Sequence, residues 1–320
     1  MTETVPLLYG PVAEDVLLVG ERLRGLSNGH HPLLGAILKY VFETQGKRIR
    51  PALVMLSGKL GRYELDRLVT LATALEVVHT ATLVHDDTID ESLTRRGLKT
   101  VNAVWNSNIA ILIGDFLFAQ SAHLAAQLDD VRIMTLLSET VMSMSSGELQ
   151  QYSSSQSRSI DETDYFQRIH GKTASLFAAC CQGAAIVSGQ SDHKIRALRA
   201  YGTNLGLAFQ IADDVLDFTA DEATLGKPAG SDLRQGTITL PVILAVRRVA
   251  PDSSFLSNLR AGRNTDELVQ MVRQSGALDE ALSRAHDFAE AARSALDGFP
   301  PSETKECLLQ LTERSVMRGR

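Results

Sequence analysis

Residues 68–90 read LVTLATALEVVHTATLVHDDTID, an almost wholly apolar segment that ends in a cluster of aspartates. Its apolar side chains recur at helical spacing on nearly every side, which is typical of a helix buried by its neighbours. Residues 68–84 also contain Glu76, His79 and four threonines, so they indicate a core helix and not a membrane span. The segment therefore predicts a long, buried helix with acidic groups at its carboxyl end.

The remainder of the chain favours the same class of structure. Residues 52–227 contain no proline, and because proline costs a helix interior about 3 kcal/mol, several long helices can form there. Helix starts are predicted at Asp161 and Ser302, whereas the serine-rich run 153–157 predicts a loop. No segment alternates with a period of two over several residues, which argues against strands. We predict one all-α domain, residues 1–320, with about ten or more helices.

The composition is that of a folded, mildly acidic protein. The 320 residues include 32 Lys and Arg against 38 Asp and Glu, a formal net charge of −6. This balance argues against nucleic-acid partners, which need a basic surface. Cys180, Cys181 and Cys307 form no disulfide pattern, and the first residues lack the basic and apolar regions of a signal peptide. We therefore expect a cytoplasmic protein without a stable membrane anchor.

Two short acidic runs share the spacing i, i+1, i+4. They are Asp86-Asp87-Thr88-Ile89-Asp90 and Asp213-Asp214-Val215-Leu216-Asp217, and without them the chain is formally neutral. At about 100° per residue, the three carboxylates of each run share one helical face. Like charges crowded beside apolar sequence repel each other unless a cation joins them, and Mg²⁺ prefers carboxylates together with substrate phosphates. The runs therefore predict a magnesium site; two solvated helix ends are a weaker explanation because the coincidence has to occur twice.

A second group of candidate residues is cationic and lies beside glycines or close behind the first acidic run. Its members are Lys47, Arg48 and Arg50 after Gly46, Arg95 and Arg96 after Asp90, Lys172, and Lys227 after Gly226. Arginine binds phosphate oxygens in pairs and lysine acts as a point charge. The group therefore predicts clamps for diphosphate.

With these motifs in this order, the chain resembles the trans-isoprenyl diphosphate synthases, also called polyprenyl synthetases. The resemblance extends over about residues 40–245 and is carried by GKRIRP (46–51), EVVHTATLVHDD (76–87) with RRG (95–97), GDFL (114–117), GEL (147–149), GKTA (171–174), FQIADD (209–214), LGKP (225–228) and GSDL (230–233). It implies an all-α bundle of the isoprenoid synthase type around a central cavity. It also implies a homodimeric, Mg²⁺-dependent prenyltransferase that condenses isopentenyl diphosphate with an allylic diphosphate, head to tail and with trans geometry.

The resemblance implies a role for each candidate residue. The metal ligands would be Asp86, Asp87, Asp90, Asp213, Asp214 and Asp217, with about three Mg²⁺ ions beside bound diphosphate. Isopentenyl diphosphate would be held by Lys47, Arg50, His79 and Arg96. The diphosphate that leaves the allylic substrate would be stabilised by Arg95, Lys172 and Lys227. Oxygen dipoles of Thr173 and Gln210 would lie near the cationic carbons, and the departing diphosphate would accept the proton.

Product length is expected to depend on the side chains about one turn before Asp86. Ala81 and Thr82 are small there, whereas aromatic residues at these places stop elongation early in the resembling family; Val78 is a candidate for a deeper floor. We predict a product longer than twenty carbons, with a geranylgeranyl diphosphate synthase as the alternative. Thr237 stands where short-chain members often have lysine.

Other functions explain less of the sequence. A class I terpene cyclase also uses an aspartate-rich helix, but its second metal motif is typically built from Asn, Ser and Glu. A di-iron helical protein would use Glu76-x-x-His79, but a second such pair is absent from the sequence. A head-to-head condensing enzyme is disfavoured by the two aspartate runs. A non-catalytic partner subunit would be expected to lose part of one run, and this chain keeps both.

Overall fold

A computed structural model describes residues 9–43, 46, 48–219, 229–249 and 254–317. These residues are almost wholly helical, which confirms the all-α prediction. The α-helices are α1 (Ala13–Gly25), α2 (Pro32–Glu43), α3 (Ile49–Lys59), α4 (Leu65–Ile89), α5 (Val101–Val104), α6 (Ser107–Ala126), α7 (Val131–Ser157), α8 (Glu162–Ile169), α9 (Ser175–Val187), α10 (Asp192–Thr219), α11 (Ser231–Arg234), α12 (Leu240–Val246), α13 (Ser254–Ala261), α14 (Thr265–Gln274), α15 (Ala277–Ala295) and α16 (Glu303–Met317). A 3₁₀ turn (Gly10–Val12) precedes α1, and a π-helical turn (His170–Ala174) joins α8 to α9.

The described residues divide into two compact units. The first lies within Met1–Val141, Ala179–Arg199 and Gly298–Leu308, and the second within Met142–Ala178, Ala200–Asp297 and Leu309–Arg320. The first acidic run belongs to the first unit and the second run to the second.

Helix α4 is the central helix of the first unit, as its apolar sequence predicts. Every residue from 68 to 78 is buried, and α4 packs against α1, α3 and α6. Burial on all sides explains why its apolar residues form no single stripe. The helix ends inside the acidic run, where the N–H of Asp90 donates to the carbonyl of Asp86 at 2.8 Å. Two carboxylates of the run therefore lie on the last helical turn.

A small hairpin follows α4 and corrects the expectation that strands are absent. Strands β1 (Thr94–Arg95) and β2 (Leu98–Lys99) pair antiparallel. The two residues between them, Arg96 and Gly97, have φ values of 52° and 78°. Positive φ at both central positions is the requirement of a tight hairpin turn. Strands of two residues are too short to produce an alternating sequence pattern, so the turn chemistry of Arg96-Gly97 was the only available signal.

Helix α10 carries the second acidic run and closely approaches the end of the π-helical segment and the start of α9. A Cβ at Gly202 would lie 2.5 Å from the carbonyl oxygen of Phe177, and one at Gly206 would lie 2.6 Å from Cα of Ala174. Real Cβ atoms do not occupy such positions, so glycine is needed at both. The close approach brings the backbone around Thr173 next to the turn of α10 that carries Gln210.

Both predicted helix starts are confirmed, and the predicted serine loop is wrong. The side chain of Asp161 accepts a hydrogen bond from the N–H of Thr163, and Ser302 caps α16 in the same way. Residues 153–157 continue α7, however. Serine hydroxyls can bond to carbonyls one turn earlier, as Ser157 does to Ser153 at 3.2 Å, and so fit into a helix that packing stabilises.

Two helices, α4 and α6, are long and apolar enough to cross a membrane by composition alone. In α4 the most apolar window is 72% buried inside the protein, as expected of a core helix. In α6 only 39% of that window is buried, and Ile111 and Leu112 are among its exposed residues. Helix α6 therefore presents an apolar surface that the described residues do not cover.

Candidate active site

The first acidic run contains one carboxylate that differs from the others. Asp87 is buried, and Nε of Arg95 lies 2.8 and 2.9 Å from its two oxygens. Burial raises the pKa of Asp87, while the charge and hydrogen bonds of Arg95 oppose that rise. Asp86 is half-buried and Asp90 is exposed. The three carboxylates of the run therefore differ in burial, and Asp87 is the one that is paired with Arg95.

His85, directly before the run, connects α4 to α6. Its Nε2 lies 3.0 Å from the carbonyl oxygen of Ile111 in α6. A Cβ at Gly114 would lie 2.0 Å from the same nitrogen, so the glycine of the GDFL motif makes room for the ring. This contact fixes the end of α4 that carries Asp86.

A cavity of about 90 Å³ in the first unit is lined by Arg48, Arg95 and Arg96, by the imidazole of His79, and by the carboxylates that pair with two of these arginines. Burial, together with the charges of Arg50 and these three arginines, holds the pKa of His79 well below its usual value. The imidazole is therefore neutral, and it donates a single N–H. A neutral donor among arginines is suited to binding a polyanion.

The predicted residues of the isopentenyl diphosphate clamp are brought together in part. Arg96 and His79 line the cavity, and Arg50 is close enough to lower the pKa of His79. Arg48, which was not assigned to this clamp, pairs with buried Glu76, with Nη1 2.8 Å from Oε1. This ion pair accounts for Glu76 without iron, so the di-iron interpretation loses its one supporting motif. Lys47 lies outside the described residues.

The π-helical turn places Lys172 and Thr173 in the second unit. Lys172 Nζ lies 2.6 Å from Oε2 of Glu148 and donates to Gln151 Oε1 at 3.2 Å. A Cβ at Gly147 would lie 2.7 Å from the backbone nitrogen of Lys172. The GEL motif therefore provides both the space and the acid that hold Lys172, a role that its sequence alone did not reveal.

The second acidic run is also divided by burial. Asp213 is exposed, whereas Asp214 and Asp217 are buried. Asp217 Oδ2 accepts a hydrogen bond from the N–H of Asp232 at 3.2 Å, which ties α10 to the short helix α11. Burial raises the pKa of Asp214 to about 8 and repulsion by Asp232 adds to the rise, while hydrogen bonds from Tyr165 and Gln210 oppose it.

The residues predicted to stabilise the carbocation contact each other in the structure. Thr173 Oγ1 donates to Oε1 of Gln210 at 2.7 Å, and Gln210 Nε2 donates to Oδ1 of Asp214 at 2.9 Å. The other oxygen of Asp214 accepts from the hydroxyl of Tyr165 at 2.7 Å. Tyr165 lies outside the motifs that the sequence singled out, because its partner is 49 residues away.

Residues 31–275 match the model of the family described as polyprenyl synthetase. The chain belongs to the polyprenyl synthetase family. It is 36% identical over 310 residues to the octaprenyl diphosphate synthase of Haemophilus influenzae, covering 95% of this chain and 94% of that one. Two solved structures are each 33% identical to it. The decaprenyl diphosphate synthase of Rhodobacter capsulatus superposes with a TM-score of 0.92, and the match covers 99% of this chain and 100% of that one. The polyprenyl synthase of Caulobacter crescentus, complexed with calcium and isoprenyl diphosphate, superposes with a TM-score of 0.90, and the match covers 99% of this chain and 98% of that one.

Membership of the family establishes the fold as that of the isoprenoid synthases and the chain as a prenyltransferase. The sequence treats the six aspartates of this polyprenyl synthetase as equivalent ligands, and the structure does not. Asp86, Asp90 and Asp213 are the less buried members, whereas Asp87, Asp214 and Asp217 are buried and hydrogen-bonded within their own units. Among the described residues, no three histidine, cysteine or carboxylate side chains converge to hold an ion.

The residues predicted to control product length lie on α4 and are buried or half-buried. Ala81 and Val78 are fully buried on α4, and Thr82 is half-buried, with its hydroxyl donating to the carbonyl of His79 at 2.9 Å. Lys227, predicted to bind the leaving diphosphate, lies outside the described residues. Thr237 is described and its N–H donates to the carbonyl of Asp232 at 2.9 Å.

Proposed function

We propose that this polyprenyl synthetase condenses isopentenyl diphosphate with an allylic diphosphate, head to tail and with trans geometry, to form a product longer than twenty carbons. The observation that carries the proposal is the cationic cavity beside the first acidic run. There, neutral His79 and Arg96 form a receptor for a diphosphate that a cyclase with one substrate does not need, beside Arg48 and Arg95, which pair with Glu76 and Asp87. The octaprenyl and decaprenyl synthases among its relatives support the long product.

Different side chains would bind the metal, bind the second diphosphate and stabilise the charge of the leaving group. Asp86 and Asp90 in the first unit and Asp213 in the second would supply carboxylate oxygens to Mg²⁺, which would provide positive charge against the departing diphosphate. In the first unit, His79 and Arg96 bind the second diphosphate. Two ion pairs, Arg95 with buried Asp87 and half-buried Lys172 with Glu148, hold cations in fixed positions before substrate arrives, which is the condition for effective electrostatic stabilisation.

The allylic cation needs oxygen dipoles, and the proton that is lost in the last step needs an acceptor. Thr173 and Gln210 provide hydroxyl and carbonyl oxygens within one hydrogen-bonded pair. The departing diphosphate accepts the proton, so the chain supplies orientation and charge and no general base.

The product assay tests the proposal directly. Purified protein is incubated with farnesyl diphosphate, labelled isopentenyl diphosphate and Mg²⁺, with a matched reaction in chelator, and the products are separated by chain length. We expect labelled products beyond twenty carbons that require Mg²⁺. Products that stop at twenty carbons would identify a geranylgeranyl diphosphate synthase instead. No uptake of label would contradict the condensation itself and favour a cyclase.

We also propose that the protein is a homodimer in which the apolar face of α6 is the contact surface. Ile111 and Leu112 are 47% and 63% exposed, and an uncovered apolar helix face of this kind is typical of an interface. Leu112→Glu is expected to convert dimer to monomer in light scattering after size-exclusion chromatography. Leu17→Glu, at a residue 52% exposed on α1, is the control and should stay dimeric. A wild-type monomer, or binding of wild type to lipid vesicles through Leu112, would contradict the proposal.

A further inference from the structure

Three hydrogen bonds in the second unit connect Tyr165 to Thr173 through Asp214 and Gln210. They measure 2.7, 2.9 and 2.7 Å from the tyrosine to the threonine. We propose that Tyr165 and Asp214 are positioning residues that hold the Gln210 amide in one orientation, so that oxygen atoms and not N–H groups face the allylic cation. The inference rests on the proposed function, and it gives Asp214 a different role from the metal ligand predicted by sequence spacing.

The direction of the relay follows from the chemistry of its members. The oxygen of Asp214 that faces Gln210 is an acceptor, so the amide must turn its NH₂ end toward it. The carbonyl end then faces Thr173, whose only hydroxyl proton is donated to it. The lone pairs of the threonine oxygen are then available on the side away from Gln210, where the proposal places the allylic cation. One carboxylate therefore determines the polarity of two neutral side chains, which could otherwise present either end.

Tyr165 holds the carboxylate that begins the relay. Its side chain is 1% exposed, and its ring packs edge-on against Phe166 with the centroids 5.2 Å apart. The ring is therefore held in place by its packing, and its hydroxyl stays directed at Oδ2 of Asp214. A rotation of the carboxylate would break this hydrogen bond. If Asp214 carries a proton on Oδ2, the phenol oxygen accepts it and Oδ1 still accepts from the amide. The orientation of Gln210 is the same in both cases.

Burial separates this role from metal binding. Asp214 is 3% exposed and both of its oxygens accept hydrogen bonds within the second unit. Asp213, one residue earlier, is exposed. Successive side chains on a helix point about 100° apart, so adjacent carboxylates can serve a metal and a hydrogen-bond relay at once.

The test measures kcat, both KM values and the Mg²⁺ concentration for half-maximal rate in Asp214→Asn and Tyr165→Phe. Asparagine keeps the shape but can turn an N–H toward Gln210 and so reverse the amide; we expect kcat to fall about 100-fold. Phenylalanine removes one hydroxyl and should lower kcat about 10-fold. The KM values and the Mg²⁺ requirement should stay within about 2-fold in both variants. Tyr201→Phe is the matched control, since it removes a buried tyrosine hydroxyl from the same unit and should leave kcat unchanged.

A double-mutant cycle with Gln210→Ala gives the decisive comparison, because without the amide there is nothing left to orient. Asp214→Asn should then lower kcat less than about 3-fold further. An Mg²⁺ requirement raised tenfold or more in Asp214→Asn would make Asp214 a metal ligand and overturn the inference. Full kcat in both single variants, or additive losses in the cycle, would overturn it too. A wild type that consumes no isopentenyl diphosphate would overturn the proposed function and the inference with it.

Discussion

Replacing Asp86 or Asp213 by asparagine is expected to lower kcat by about 10³-fold or more and to leave the protein folded. Asparagine has the size of aspartate but lacks its charge, and metal-assisted departure of diphosphate depends on that charge for several kcal/mol. A factor of 10³ corresponds to about 4 kcal/mol of transition-state stabilisation. Asp86 is half-buried and Asp213 is exposed, so neither substitution opens a cavity in the core. Steady-state turnover at saturating Mg²⁺ and circular dichroism measure the two effects.

The control for this experiment is Asp287→Asn, which removes the same charge from an exposed position on α15 and should keep full activity. A second readout does not depend on turnover. Mg²⁺ with inorganic diphosphate at about 100 times the Kd stabilises wild type by about 2.7 kcal/mol, which raises the Tm of a chain of this length by about 4 °C. Asp86→Asn should lose most of that rise. Retained turnover in either variant, or a wild-type Tm that Mg²⁺ and diphosphate leave unchanged, would contradict the assignment.

Ala81→Phe is expected to shorten the product from more than twenty carbons to twenty or fewer. Ala81 lies on α4 slightly more than one turn before Asp86 and has no exposed surface. A growing apolar chain that passes this position would meet the added ring, whereas the first condensation needs less room. The rate of that first condensation should therefore stay within about 3-fold of wild type. The length distribution of labelled products measures the effect.

A fully buried alanine need not line a product pocket, because it can also be packed against other side chains of the core. In that case the ring overpacks the core of the first unit, lowers stability by about 1–3 kcal/mol and leaves product length as it was. Ala291→Phe, which adds the same ring to an exposed site on α15, is the control and should make wild-type products. A folded Ala81→Phe enzyme with an unchanged product distribution would show that position 81 does not line the pocket.

The helical class was predictable because its signals are local. The apolar run 68–84 and the caps at Asp161 and Ser302 each depend on residues within a few turns. The prediction of a loop at the serine run 153–157 is wrong because it also used only local signals. The local preference of serine for a loop is weak, and packing of the longer helix overrides it. The hairpin after α4 was missed because four strand residues carry no periodic pattern.

By itself, the sequence determined the helical class, the family and the spacing that puts three carboxylates of each run on one helical face, since all three depend on residue order. Only the tertiary structure decided which carboxylates stay near solvent. Asp87 is hydrogen-bonded to Arg95, and Asp214 to Tyr165 and Gln210, so equal spacing in the sequence leads to unequal environments. The physical reason is that burial and hydrogen-bond partners set the availability of a carboxylate. Those partners arrive from other parts of the chain, as far as 49 residues away, where helical periodicity carries no information.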